Sequence, residues 1–376
     1  MARAATVDEW AAIAIGQSVG ALGAIVIGAG WSITGPAEAA RSSVDDRPRV
    51  LVESIKARLV VAVVAAAPLA AVAFVIPATS SHVLAAAVAL VTALNGLTIG
   101  WYAVGTGDVK LLAIWEAVPR VAANLGGAAL ASLSGWIYFF PLVSGLSIVI
   151  PVTLIASITS RSLRTAVSFS GAAARLREQG AALVTDLVAG AYTLGASAIV
   201  GVFGTTVAVA IFNSGYRLVA FGAAAFGALS NALQGWIAES EGPSFARRVK
   251  TSVLLHTMVG LAGFVAFSFL GPSISGTLFG PALAVPQAAC IPLGMFYALW
   301  SIETVTGRHV LATRGETRAL LVTTALGSAI GVPAIAVGAR FAGATGASWG
   351  LAGALALIVL LQSVAAFRIV HVNAKT

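Results

Sequence analysis

GWYAVGTGDVKLLAIWEAVPRVAANLGG, residues 100–127, is largely apolar, yet it carries Glu116 and Arg120 four positions apart, with Pro119 between them. Residues four apart share one face of an α-helix, so the carboxylate and the guanidinium can pair. Pro119 has no backbone donor, which frees the carbonyl of Trp115 and favours a kink beside the charges. What such a pair costs depends on the solvent around it.

Composition decides that question. Of 376 residues, 59% are hydrophobic and 10% are charged, and mean hydropathy is +0.95. Soluble domains average about 45–50% apolar and about 25% charged residues. Apolar runs recur from end to end, at the roughly 20-residue length that a helix needs to cross about 30 Å of hydrocarbon. The chain therefore reads as an all-α polytopic integral membrane protein, with no long polar segment left for a soluble domain. Its single cysteine, Cys290, excludes an intrachain disulfide and any CxxC metal site. Four histidines, none at ligand spacing, argue against zinc. The first apolar run is too long, and its flank too acidic (Asp8, Glu9), for a cleavable signal peptide.

Eleven spans follow, at 10–33, 59–77, 82–106, 111–133, 136–158, 181–203, 212–237, 250–272, 284–304, 318–339 and 345–368. The formal net charge of +8 is distributed by loop and marks topology rather than a nucleic-acid surface. Arg41, Arg47, Arg49, Lys56 and Arg58 fill the first loop, and Lys110 marks the third. Arg161, Arg164, Arg175 and Arg177 fill the fifth, Arg247, Arg248 and Lys250 the seventh, and Arg308 and Arg314 the ninth. Even-numbered loops carry no basic residue except Arg340, and Arg3 is the other exception. This alternation places the odd loops and the C-terminus in the cytoplasm and the N-terminus outside.

Three parts are expected: an N-terminal bundle of five spans (1–158), a cytoplasmic linker (159–180) and a C-terminal bundle of six spans (181–376). In the linker, Arg175 and Arg177 beside apolar residues suit either a short helix on the anionic inner leaflet or a solvated connection. No strong sequence repeat is visible, although the two halves permit a structural one.

With Lys110 at the inner end of the fourth span, Glu116 lies roughly 9 Å deep and Arg120 roughly 15 Å. A buried arginine there costs on the order of 2.5–3.5 kcal/mol on insertion scales, so it should face protein or a watery cavity. One reading is an internal salt bridge; the other, favoured here, is the polar face of a substrate cavity. Asp186, a turn or two inside the sixth span, and Arg217, near the outer end of the seventh, are further candidates. Arg217 suits snorkelling outward as well as it suits a cavity. Glu239 and Glu303 read as interfacial, and Asn95, Asn231 and Gln234 as interhelical bonds, with Asn95 also a cavity candidate. Trp10, Trp136 and Trp349 fall where belt residues belong, and GAAAFGAL (222–229) permits close helix contact. There is no Ser/His/Asp set, phosphate-cradling glycine loop, HExxH or DxD-type acidic pair, and no large extracytoplasmic loop. The residues thus point to no enzyme and no cofactor.

The stretch LNGLTIGWYAVGTGDVKLLAIWEAVPRVAANLGGAAL (94–130) resembles the third-to-fifth-span region of bacterial polysaccharide-biosynthesis flippases, with their W-Y/F-x-x-G turn and inward arginine. VAVAIFNSGYRLVAFGAAAFGALSNALQ (207–234) is similar to that family's segment opening the second lobe. LFGPALAVPQAACIPLG (278–294) and AGATGASWGLAGALALIVLLQ (342–362) resemble its "lfG-x-x-y" loop and "Ga-x-Ga-a" final spans. The family belongs to the multidrug/oligosaccharidyl-lipid/polysaccharide exporter superfamily. The resemblance implies two bundles around a central cavity, alternating access and a lipid-diphosphate-linked oligosaccharide as cargo, in the bacterial cytoplasmic membrane. By position, Arg120 and Arg217 are the diphosphate-binding candidates, because arginine offers paired donors to phosphate oxygens. Expected partners are the lipid-linked saccharide, membrane lipids, a coupling ion and other polysaccharide-assembly membrane proteins. One departure from the family's pattern is visible: ARAATVDEWAAIAIGQSVG (2–20) resembles the segment just after the family's first span. The expectation is either a missing first helix encoded upstream or a divergent member. The alternatives are a cation-coupled multidrug exporter using Asp186 or Glu116 for a proton or sodium ion, a membrane glycosyltransferase or ligase, and a non-transporting scaffold.

Overall fold

The computed structural model describes residues 2–162, 176–177 and 179–373, so Arg164 and Arg175 of the linker lie outside the described residues. Among the described residues every regular element is helical. Among the described residues eight helices are long and apolar enough to cross a membrane. All eleven apolar segments read from the sequence fall on helices among the described residues. The remaining three are hidden by breaks. Residues 111–133 fall on a helix interrupted by a π turn, and 181–203 on two helices, Gly180–Leu194 and Ala196–Phe203. The last two spans lie in one run, Thr317–Asn373, broken where Ala342 and Gly343 leave helical geometry.

Contacts divide the chain into two compact units, Met1–Gly190 and Ala191–Thr376. The first holds α1 (Val7–Gly28), α2 (Trp31–Arg41), α3 (Arg47–Val75), α4 (His82–Ala93), α5 (Gly100–Thr106), α6 (Val109–Leu112), α7 (Val118–Ser134), α8 (Phe139–Ser162) and the start of α9 (Gly180–Leu194). Asp186 of α9 accepts a hydrogen bond from Ser32 of α2. Just ahead of the helix, Gln179 accepts one from Thr34 at 2.5 Å. The sixth apolar segment therefore begins inside the first unit.

Small residues set the closest packing there. Gly16, Gly20 and Gly23 of α1 meet Ala85, Ala89 and Ala93 of α4, so both helices present small residues at helical spacing. A Cβ at Gly20 would lie 2.5 Å from the carbonyl oxygen of Ala89. Backbone cannot yield as a side chain can, so Gly20→Leu should lower stability by about 3 kcal/mol or more. The expected readout is loss of the monodisperse peak in fluorescence-detected size-exclusion chromatography. A normal peak would mean that α1 and α4 are further apart than this.

Trp10 corrects the belt expectation: it is 2% exposed and belongs to the core, whereas Trp136 and Trp349 are exposed at 52% and 48%. Arg58 corrects the loop count. Helix α3 already begins at Arg47, and Arg58 is buried within it. Its partners are the carbonyls freed where α4 ends, through a 3-10 turn (Leu94–Leu97), before α5 starts. Nη1 donates to Gly96 at 2.9 Å and to Thr98 at 2.8 Å.

The second unit holds the rest of α9, α10 (Ala196–Phe203), α11 (Thr206–Ala238), α12 (Gly242–Phe279), α13 (Gln287–Thr304) and α14 (Thr317–Asn373). A π turn, Val305–Ala312, prolongs α13. Glu303, read from the sequence as interfacial, is bonded to a neighbouring helix. Its Oε1 accepts from Gln362 of α14 at 3.3 Å, and Thr306 donates to the same amide at 2.9 Å. Glu239, at the C-cap of α11, is exposed, as expected of an interfacial residue. Gln234 accepts from Arg308 at 3.3 Å, an interhelical bond of the expected kind. Of the glycines in GAAAFGAL, Gly222 packs on Tyr297 and Phe267, while Gly227 faces open space.

Candidate functional site: a polar pocket beside Arg120

The fourth apolar segment carries its charges on a deformed helix. Residues Ala113–Ala117 form a π turn that joins α6 to α7, and Pro119 lies in the first turn of α7. The missing proline donor leaves the Trp115 carbonyl without its usual i+4 partner, and the wider turn accommodates this. Glu116 and Arg120 then stack one turn apart. Arg120 Nη2 donates to Glu116 Oε1 at 3.1 Å.

The pair is asymmetric. The Arg120 side chain is 42% exposed and that of Glu116 only 16%. Glu116 Oε2 is buried with no hydrogen-bond partner, and it lies against Gly100, where a Cβ would come within 2.9 Å of it. The carboxylate thus holds one guanidinium nitrogen from the protein side, and the rest of the guanidinium stays accessible.

Arg120 lines a pocket of about 130 Å³ within the first unit, among α1, α4, α7 and α8. Asn95, Asn124, Gln17, Thr92, Ser144 and Ser147 supply its other polar walls. Ser144 Oγ is buried with no hydrogen-bond partner. The amide of Asn95 donates to the Thr92 carbonyl at 2.8 Å, and Asn95 also lines the pocket. Asn124 continues the stripe of Glu116 and Arg120 by one more turn, a ladder that is visible in the sequence. Gln17, Thr92 and Ser144 come from other helices, and their convergence is set by the fold alone. This pocket can recognise an anion with several acceptor oxygens, through one cation and a ring of neutral donors.

The structure brings together three of the five sequence candidates, Arg120, Glu116 and Asn95. Asp186, in the same unit, is bonded to Ser32 instead. Arg217 belongs to the second unit and is half-buried in α11. Because α11 starts at Thr206, Arg217 lies about 16 Å along it at about 1.5 Å per residue.

A polar cluster that sequence spacing did not reveal occupies the second unit. Ser252 bonds His309 Nδ1 at 2.9 Å, Ser230 bonds His309 Nε2 at 3.0 Å, and the rings of His256 and His309 are 5.4 Å apart. Among the described residues no group of three or more His, Cys, Asp or Glu could hold a metal. The cluster ties α11, α12 and the π turn together by hydrogen bonds.

Solved structures of similar shape give the architecture its relatives. A MATE protein crystallised in complex with MaL6 matches with a TM-score of 0.57 at 14% identity, covering 98% of this chain and 87% of that one. An outward-facing multidrug resistance MATE family transporter of the MOP superfamily matches at 0.55 and 14%, over 98% and 86%. This chain has the MATE transporter fold. A mutant of the Vibrio cholerae MATE transporter VcmN matches at 0.50 and 17%, over 96% and 85%. No protein-family model matches the sequence, and a search of curated proteins finds no match. The chain thus shares its framework with polytopic membrane proteins, the fold class expected from composition.

Proposed function

We propose that this chain is a membrane transporter of the multidrug/oligosaccharidyl-lipid/polysaccharide exporter superfamily that moves a lipid-diphosphate-linked oligosaccharide to the outer leaflet. The observation that carries the reading is the pocket of the first unit. It sets one accessible guanidinium among amide and hydroxyl side chains, at a depth where an exposed cation is otherwise disfavoured. A diphosphate supplies the negative charge, and sugar hydroxyls match the neutral donors and acceptors of Asn95, Asn124 and Gln17. Membrane-length helices and the shared fold support transport over catalysis. The protein would reside in the cytoplasmic membrane with its C-terminus inside.

A second reading is a cation-coupled multidrug exporter. Two observations favour it: one structural neighbour is a multidrug resistance transporter, and Glu116 Oε2 is buried without a hydrogen-bond partner, which suits a carboxylate that takes up a proton.

Deleting the gene separates the two. The flippase reading expects loss of a surface polysaccharide and build-up of its lipid-linked precursor on the inner leaflet, with both reversed by the intact gene. Unchanged polysaccharide, together with new sensitivity to lipophilic cationic drugs, sinks that reading and supports the exporter.

A further inference from the structure

A second, very different space shares a wall residue with the pocket beside Arg120. Between α7 and α8 runs a cleft of about 470 Å³ lined by Ile114, Trp115, Ala122, Val143, Leu146 and Ile150. Its size falls within the roughly 300–1,000 Å³ typical of ligand clefts. Two prolines face it, Pro119 from α7 and Pro151 from α8. The π turn before Pro119 and the short side chains of Ala122 and Ala123 keep it from closing. Ser147 is its single polar lining side chain.

That serine marks a junction. Ser147, Trp115 and Pro151 also line a gap of only about 10 Å³ beside Glu116 and Arg120. Ser147 and Arg120 in turn line the polar pocket. Ser147 therefore stands on the wall of both the apolar cleft and the polar pocket that Arg120 lines.

We propose that the α7–α8 cleft seats the hydrocarbon chain of an anionic lipid whose charged head lies on Arg120. This deepens the function proposed above and rests on it: it assigns the place of the cargo's lipid chain, which stays in the bilayer while its head occupies the pocket. Charge complementarity names the occupant, since an uncharged lipid gains nothing from Arg120, and a free anion gains nothing from Leu146 or Ile150.

The test uses the purified protein in phosphatidylcholine nanodiscs and three probes: inorganic diphosphate, geranyl diphosphate and farnesyl diphosphate, with binding to empty nanodiscs subtracted. Affinity should rise with chain length, by tenfold or more from inorganic diphosphate to farnesyl diphosphate. Ala122→Trp and Leu146→Trp fill the cleft from exposed positions and should cut farnesyl diphosphate binding at least tenfold, leaving inorganic diphosphate binding unchanged. Val118→Trp, exposed on the same helix outside the cleft, should change neither. Equal affinity of the wild-type protein for all three probes means bulk lipid only in the cleft and overturns the proposal. So do tryptophan variants that keep the chain-length preference. The two readings fail differently. Binding of inorganic diphosphate that is lost in Arg120→Ala, but without chain-length dependence, removes the cleft and keeps the head site. Binding of no probe removes both.

Discussion

Arg120→Ala is expected to reduce export of the cargo by one to two orders of magnitude while the protein accumulates in the membrane at its normal level. The size follows from the ~1.5–3 kcal/mol that a hydrogen bond to a charged group contributes. Among the described residues, Arg120 is the one charged side chain on the pocket wall, so no neighbour compensates for its loss. Arg120→Lys should retain part of the activity, because an ammonium is a point charge without the two-pronged geometry of a guanidinium. The competing explanation is that Arg120 serves only as the structural partner of Glu116. The exposures bear on this: an arginine kept only for pairing has no reason to be the more accessible partner. The double variant Glu116→Ala, Arg120→Ala decides. If the pair is structural, removing both charges restores folding and export together. If Arg120 binds cargo, the double variant folds and accumulates but does not export. Wild-type export by the double variant, at matched protein level, removes Arg120 from the site.

The membrane spans were legible because hydropathy is a property of each segment alone. Every apolar run needs its backbone bonds satisfied within itself, so each becomes a helix whatever its neighbours are. The helix distortion near Pro119 was legible for the same local reason. Its form, a π turn over Ala113–Ala117 rather than a simple bend, depends on how α7 packs on α8, which the sequence does not display.

Apart from Asn95, the site was legible along one helical stretch. Glu116, Arg120 and Asn124 form a ladder running from the π turn into α7, and their shared face follows from spacing. Gln17, Thr92 and Ser144 reach the same pocket from α1, α4 and α8, and that convergence is a tertiary fact. Asp186 shows the same limit. Read alone it was a candidate coupling site, yet its partner Ser32 lies on a helix more than a hundred residues earlier. Positional statistics misplaced two residues. Trp10 stands near a span end, as belt tryptophans do, but it is buried in the core. Arg58 stands just ahead of an apolar run, so counting loop charges assigned it to the cytoplasm. The missing signal was LNGLTIG (94–100): an Asn-Gly pair and a second glycine inside an apolar segment announce a broken helix, and its freed carbonyls require a donor from elsewhere.

That donor sets the second large expected effect, on stability rather than transport. Arg58 is 1% exposed. It bridges the break after α4 by donating to the carbonyls of Gly96 at 2.9 Å and Thr98 at 2.8 Å. Its Nε and Nη2 bond the Ser54 carbonyl and hydroxyl, both at 3.2 Å, and its guanidinium lies 5.7 Å from the ring of Trp101. Arg58→Met keeps most of the apolar stem and leaves both carbonyls without a donor in a place water does not reach. At ~1.5–3 kcal/mol for each charged hydrogen bond, losing the two costs about 3–6 kcal/mol. Against a typical total of about 5–15 kcal/mol, the variant should be largely unfolded at 37 °C or melt far below the wild type. Arg58→Lys should be intermediate, because one ammonium cannot reach Gly96, Thr98 and Ser54 in the fork geometry that guanidinium allows. Thermal unfolding in detergent, followed by loss of the monodisperse peak, measures the order wild type, Lys, Met. A cytoplasmic topology charge behaves otherwise: Arg58→Lys would then match the wild type, and Arg58→Met would fold with normal stability. The same measurement therefore tests whether the break in the third apolar segment is held from inside the protein, and the walls of the Arg120 pocket depend on that break, since Asn95 lies within it.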